Sequence, residues 1–223
     1  MNLTMVFATW YQPDWRRCVA SWATDQVLFV ERMGIIPAYQ LAFECLPESD
    51  ILAFVHDDLI CHDPTWKERV MAEFEDPKVA IVGFAGAPGH GAPRMYEQPF
   101  EVNAMGRVGF RSNMVDAERH GARFTGSCNV AVLDGMAMFI RRSFLVEAGG
   151  WPMNTEIGYF CYDMWACCMA RRLGYTIRLV GVAIEHLGGR STGLNPNLKV
   201  NLREAHLSLY NDFKDVLPAR VNP

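Results

Sequence analysis

The chain has 223 residues, half of them hydrophobic and 21% charged, enough for one sizeable α/β domain whose core can hold a deep cleft. A formal net charge of -4 disfavours broad non-specific nucleic-acid binding, which relies on neutralising phosphates with Lys and Arg. The seven cysteines are odd in number and show no C-x-x-C spacing; this argues against a zinc ribbon and for free thiols in a reducing compartment.

Along the chain, apolar strand-like runs alternate with helical patterns. Thr4–Ala8 reads as a buried first strand, Trp15–Ala23 as a helix after Pro13-Asp14, and Gln26–Val30 as a second strand. Pro37 suits the first turn of a helix running to Glu44. Ile51–Val55 is a short apolar run bounded by polar residues, as expected of a buried strand. A helix over Pro64–Phe74 follows, with Asp63 as its N-cap candidate, and then a strand over Val79–Ala85. Residues 86–127 differ: they are rich in Gly, Pro, Arg and isolated aromatics, and a loop that long inside a domain usually has work to do.

Regular structure resumes at Cys128–Arg141, strand-like around Met136–Ile140. The next helix spans Tyr162–Leu173; Gly174 suits its C′ position, and Arg171 and Arg172 complement the dipole of its last turn. Thr176–Glu185 returns as strand. Leu202–Leu217 carries apolar residues at Leu202, Ala205, Leu209, Phe213 and Val216, the spacing of an amphipathic helix, within a C-terminal helix and tail over residues 196–223. This alternation predicts an α/β fold with a mostly parallel sheet flanked by helices. No basic segment precedes the first strand and no apolar run reaches the roughly 18–20 residues of a membrane span. The expectation is a cytoplasmic protein forming a single domain over residues 1–223.

Three constellations carry chemistry. The first is Phe54-Val55-His56-Asp57-Asp58, two adjacent carboxylates directly after a buried strand. Ligands of open α/β sheets bind beyond the carboxyl ends of strands, and neighbouring carboxylates repel unless a cation or proton offsets their charge. Oxygen ligands suit Mg²⁺ or Mn²⁺, ions that also carry substrate phosphates; the same pair also reads as a solvated acidic turn. The second is Tyr159-Phe160-Cys161-Tyr162-Asp163-Met164-Trp165. There Asp163 is either a helix-start carboxylate or a general base in an aromatic pocket. The third is Ile184-Glu185-His186-Leu187-Gly188-Gly189-Arg190-Ser191: a histidine at a strand end that reads as a structural side chain or a ligand, a glycine pair that lets backbone approach a ligand, and an arginine that is either suited to phosphate oxygens or simply solvated.

In this order the pieces resemble the inverting GT-A glycosyltransferases of the large family-two type. Val55-His56-Asp57-Asp58 resembles a variant D-x-D motif. Ile36–Glu44 is similar to a helix near the donor, with Gln40 where Asn is common. Val132-Leu133-Asp134-Gly135 followed by Met136–Phe139 resembles the central aspartate-glycine-strand element. Tyr162-Asp163 through Gly174-Tyr175 is similar to the E-D-x-D-L…R…G-Y segment, and His186 to the late metal-binding histidine. The resemblance implies a GT-A, Rossmann-like sheet with a small antiparallel part near the cleft. It also implies a Mn²⁺ or Mg²⁺ ion held by Asp58 and His186, and Asp163 as the base that deprotonates an acceptor hydroxyl. Thr9, Gln40, Asp57, Asp134 and Arg190 would contact substrate. The implied donor is a nucleotide diphosphate sugar, with uridine the family's commonest base.

The chain departs from the pattern where Val27–Glu31 lacks the base-reading aspartate, and where Tyr162 and Trp165 replace acids. The acceptor stays open between a saccharide, a lipid-linked phosphate and a modified DNA base, with Arg94, Tyr96, Phe100, Arg107, Phe110, Arg111 and Arg123 as its candidate wall. Two other readings stand beside this one. A GT-A-fold protein that binds nucleotide sugar or a partner without turnover would keep the same pieces. A helical metal phosphohydrolase would use the His56-Asp57 and His62-Asp63 dipeptides.

Overall fold

The structure, a computed structural model, describes residues 1–9, 14–91, 110–115, 117, 121–153, 161–188 and 198–222. Its centre is a seven-stranded sheet built from β1 (Leu3–Thr9), β2 (Val27–Glu31), β3 (Ile51–His56), β5 (Val79–Gly83), β10 (Ser127–Asn129), β12 (Ala137–Arg141) and β13 (Thr176–Val180), in the order β10-β13-β5-β12-β3-β1-β2. Five strands (β1, β2, β3, β5 and β13) run the same way. β12 runs against both β3 and β5, and β10 against β13. The sheet is therefore mostly parallel, as the alternation predicts, and it is not the all-helical scaffold of the phosphohydrolase reading.

Side chains of these strands alternate between two cores. Val6, Leu52, Phe54, Met138 and Ile140 face one side, where helices α2 (Ile35–Cys45), α4 (Arg142–Ala148), α5 (Tyr162–Arg172) and α6 (Leu198–Asp212) contribute Tyr39, Phe144, Trp165 and Leu209. Met5, Phe7, Ala53, Val55 and Phe139 face the other, packed with Trp22 and with Trp66 and Val70 of α3 (Trp66–Glu73). Burial on both faces explains why β3 reads as an unbroken apolar run rather than an alternating one. Each buried Val, Leu, Ile, Met or Phe among them contributes about 1.5–3 kcal/mol.

Several boundaries move. The first helix, α1 (Trp15–Ala20), stops before Ala23, and α2 begins at Ile35, with Pro37 inside its first turn. The N-cap position of α3 falls on Thr65; the Asp63 carboxylate instead accepts hydrogen bonds from the Thr65 N–H and hydroxyl and from Arg69. The run expected as one strand over Thr176–Glu185 breaks into β13 and β14 (Ile184–His186), and β14 leaves the main sheet to pair antiparallel with β4 (Leu59–Cys61). Gly174 takes φ +81°, and the Tyr175 N–H reaches back to the Ala170 carbonyl at 2.8 Å, closing α5 as its sequence predicts.

Within the stretch expected as a loop, the described residues form β6 (Ala85–Ala87), β7 (Gly89–His90), β8 (Arg111–Ser112) and β9 (Ala122–Arg123). With β11 (Val132–Leu133), β6, β8 and β9 make a four-stranded sheet, β11-β6-β8-β9, which is antiparallel except between β8 and β9. A short β15 (Ala219–Arg220) pairs with β7. Arg94, Tyr96, Phe100, Arg107, Tyr159, Phe160, Gly189, Arg190 and Ser191 lie outside the described residues. All seven cysteines are free thiols, six of them buried. Among the described residues no helix is long and apolar enough to cross a membrane.

Candidate active site and metal centre

The carboxyl ends of β1 and β3 meet the amino end of β12 at one edge of the sheet. The antiparallel register sets Ala137 opposite Val55, so Asp134-Gly135-Met136 lies against His56-Asp57-Asp58, and the His56 N–H donates to the Met136 carbonyl at 2.9 Å. The β4–β14 pair brings the third constellation to the same place. His186 stands opposite Leu59, and the Leu187 N–H donates to the Asp58 carbonyl at 3.0 Å. Two segments far apart in sequence thus put Asp58 and His186 side by side.

Asp58 Oδ1 lies 3.3 Å from His186 Nε2 and 4.0 Å from His56 Nδ1. It is shielded from solvent and accepts no well-aligned hydrogen bond among the described residues. Ligand atoms of His56, Asp58 and His186 all fall within 4.8 Å of one another. Separations of 3.3 and 4.0 Å are those spanned by two ligands each about 2.0–2.2 Å from one ion. Both imidazoles stay partly exposed, at 29% and 28%, so the cluster opens to solvent, where further ligands can reach it. Burial opposes the Asp58 charge, yet His186 and then His56 outweigh it and hold the carboxyl below its usual range. Burial lowers the His56 pKa, favouring the neutral imidazole that a metal requires. His56 is the third member that the D-x-D reading did not single out.

Asp57 points elsewhere. Its Oδ2 accepts the Thr9 hydroxyl at 2.6 Å, tying β3 to the end of β1, and burial raises its pKa. The two adjacent carboxylates are therefore pushed in opposite directions, one towards holding a proton and one towards charge. Gln40 braces the scaffold: its Oε1 accepts the Trp151 N–H at 2.8 Å and its Nε2 donates to Glu44 at 2.7 Å.

Asp163 sits in the first turn of α5. Its carboxylate accepts the Gly135 N–H at 2.9 Å and the Met164 N–H at 2.7 Å. Burial, reinforced by the nearby Asp134 charge, pushes its pKa up to about 7. Its place in the first turn fits the helix-start reading, and a carboxyl poised near neutrality is also compatible with proton transfer. Asp134 accepts the Met136 N–H at 3.1 Å. The acids missing from this segment are replaced by aromatics with evident work. Trp165 is 6% exposed and packs on Trp151 at 5.8 Å, whereas the Tyr162 hydroxyl lies 2.9 Å from His56 Nε2. Gly135 is obligatory here, because a Cβ on it would come within 2.2 Å of that hydroxyl. Gly135→Ala is expected to destabilise the protein by about 1–3 kcal/mol through overpacking, read by denaturant titration.

No family model and no curated protein matches the chain. Solved structures do. The chain is similar to the mannosyltransferase PcManGT from Pyrobaculum calidifontis, solved with GDP-Man and Mn²⁺, at TM-score 0.60 and 13% identity, over 100% of this chain and 66% of that one. The fold is of the GT-A type. GalNAc-T7, solved with UDP, GalNAc and Mn²⁺, matches at TM-score 0.59 and 11% identity over 83% of this chain and 44% of its own. A197 from STIV matches at 0.51 and 14%, over 81% of this chain and 82% of that one. The GT-A chain therefore spans under two thirds of both transferases. In this chain the β3 end, the β12 start and the β4–β14 pair supply the residues gathered at the sheet edge.

Proposed function

We propose that the protein is a metal-dependent glycosyltransferase that moves a sugar from a nucleotide diphosphate to an acceptor hydroxyl with inversion. The observation that carries this reading is the shielded Asp58 oxygen set between two imidazoles at the carboxyl edge of the sheet. Mn²⁺ and nucleotide sugars bound to proteins of the same fold support it. His56, Asp58 and His186 would hold the ion. Two nitrogen ligands of three favour Mn²⁺ over Mg²⁺, which takes oxygen ligands. When bound, a divalent ion there neutralises the departing diphosphate as a Lewis acid.

The chain's own groups do the rest. Asp163, held by two backbone N–H groups, takes the proton of the attacking hydroxyl. Thr9 and Asp57 form the floor beside β1, where the donor's ribose would lie, and Asp134 is placed to receive sugar hydroxyls. The donor base is uridine or guanosine, the two that the similar transferases carry; uridine is preferred as the commoner choice. By sequence alone, residues 86–127 are the candidates for acceptor contact and Arg190 for phosphate contact.

A thermal-shift screen of UDP- and GDP-sugars, each with and without Mn²⁺, tests this reading. At about 100 times Kd a ligand adds about 2.7 kcal/mol, a rise of roughly 5–10 °C for a domain this size. The rise should require both sugar nucleotide and Mn²⁺, and product should follow. Stabilisation without any transfer or hydrolysis favours the non-catalytic binder. No stabilisation by any pair removes the proposal.

A further inference from the structure

Tyr162 sits where two hydrogen bonds constrain one proton. Its hydroxyl lies 3.1 Å from the Gly135 carbonyl, which can only accept, and 2.9 Å from His56 Nε2. A phenol has a single proton. With that proton given to Gly135, the hydroxyl oxygen is left as an acceptor, so a neutral His56 must carry its hydrogen on Nε2. Its Nδ1, the nitrogen 4.0 Å from Asp58 Oδ1, then presents a lone pair to the ion position. Ring contacts hold Tyr162 in place, with Tyr39 at 5.7 Å and Trp151 at 6.4 Å.

We infer that Tyr162 is a positioning residue: by donating to the Gly135 carbonyl it fixes His56 as the Nε2–H tautomer and turns Nδ1 into a metal ligand. The inference rests on the metal centre proposed above. Outer hydrogen-bond partners that fix a ligand's tautomer typically change metal affinity by 10–100-fold. Asp163, the next residue, accepts the Gly135 N–H. The Tyr162-Asp163 dipeptide therefore grips Gly135 at both its carbonyl and its N–H, and joins the ion's imidazole to the base through one peptide.

Two measurements decide this. Long-range ¹H–¹⁵N spectra of metal-free wild-type protein, with the His56 signal assigned by its loss in His56→Gln, should show His56 Nε2 protonated and Nδ1 bare. Mn²⁺ titration of Tyr162→Phe, followed by the electron paramagnetic resonance of free Mn²⁺, should show affinity lowered by about 10–100-fold, with the ring still filling its aromatic pocket. If that variant does not fold, the wild-type spectrum alone decides. Failure of the wild type to bind Mn²⁺ overturns the metal centre and this inference with it. Mn²⁺ binding by a wild type whose His56 is protonated at Nδ1, or affinity unchanged in Tyr162→Phe, overturns only the inference.

Discussion

Asp163→Asn is expected to lower turnover by about 10²–10⁴-fold and to leave Mn²⁺-dependent donor binding within about twofold of the wild type. The substitution is nearly isosteric but removes the proton acceptor. It also exchanges one acceptor oxygen for an NH₂ group. Since Asp163 now accepts both the Gly135 and Met164 N–H groups, one of them loses its partner at a cost of about 1–3 kcal/mol. Stability and donor affinity measured beside turnover separate that cost from the chemistry. Wild-type-like turnover by the variant would remove the base assignment.

The pH profile tests the same carboxyl independently. Burial first, and Asp134 second, raise its pKa from 3.8 to about 7. A base must be ionised, so turnover should fall about tenfold per pH unit below that value and level off above it. A flat profile from about pH 5 to 8 contradicts the role. The stability of the metal-free protein carries the matching signature. Between 3.8 and about 7 the folded state holds this proton and the unfolded chain does not. The contribution is thus complete below the lower value and is lost as pH rises through the upper one. Asp163→Asn should flatten that part of the stability curve, which comparison of denaturant midpoints across the window would detect.

Much of this centre is legible in the sequence because its pieces sit at element boundaries. The apolar run Ile51–Val55 announces β3, and the residues after a buried strand in an α/β sheet are where ligands bind; Asp57 and Asp58 follow from that logic, whereas Asp163 is marked by its place at a helix start among aromatics. Strand direction is not legible in this way. β12 is buried on both faces, as its parallel neighbours are, so nothing in Ala137–Arg141 records that it runs against them. The α4 helix, Arg142–Ala148, is not legible because it starts directly from the β12 end, without a capping side chain to mark it. The break between β13 and β14 escaped notice for a related reason: Gly181–Ala183 keeps the apolar character of the strands around it, and only the pairing of β14 with β4 reveals a second sheet. The roles proposed for His56 and Tyr162 in this centre are not legible in the sequence, because they depend on each other across the fold. A histidine at a strand end and a tyrosine in place of an acid each look ordinary until a 2.9 Å contact joins them.

The neighbouring aspartates provide the second large effect, because the structure gives adjacent and chemically identical side chains different work. Asp58→Asn should weaken Mn²⁺ binding by more than about 100-fold, beyond the 10–100-fold typical of losing an outer-shell partner. It removes the one carboxylate from a cluster whose other two members are imidazoles, which are neutral when they ligate a metal. Asp57→Asn should change Mn²⁺ affinity by less than about tenfold, a shift smaller than 1.4 kcal/mol. Its Oδ2 is engaged by the Thr9 hydroxyl at 2.6 Å, and an Asn amide oxygen can still accept that bond. The defect of Asp57→Asn should instead appear in donor affinity, through the β1 edge that Thr9 and Asp57 form together. Isothermal titration with Mn²⁺ alone, and then with sugar nucleotide at saturating Mn²⁺, reads the two effects separately. Equal loss of Mn²⁺ binding in both variants would mean that the ion does not sit between His56, Asp58 and His186. The diphosphate would then have to be held by some other arrangement of the same sheet edge.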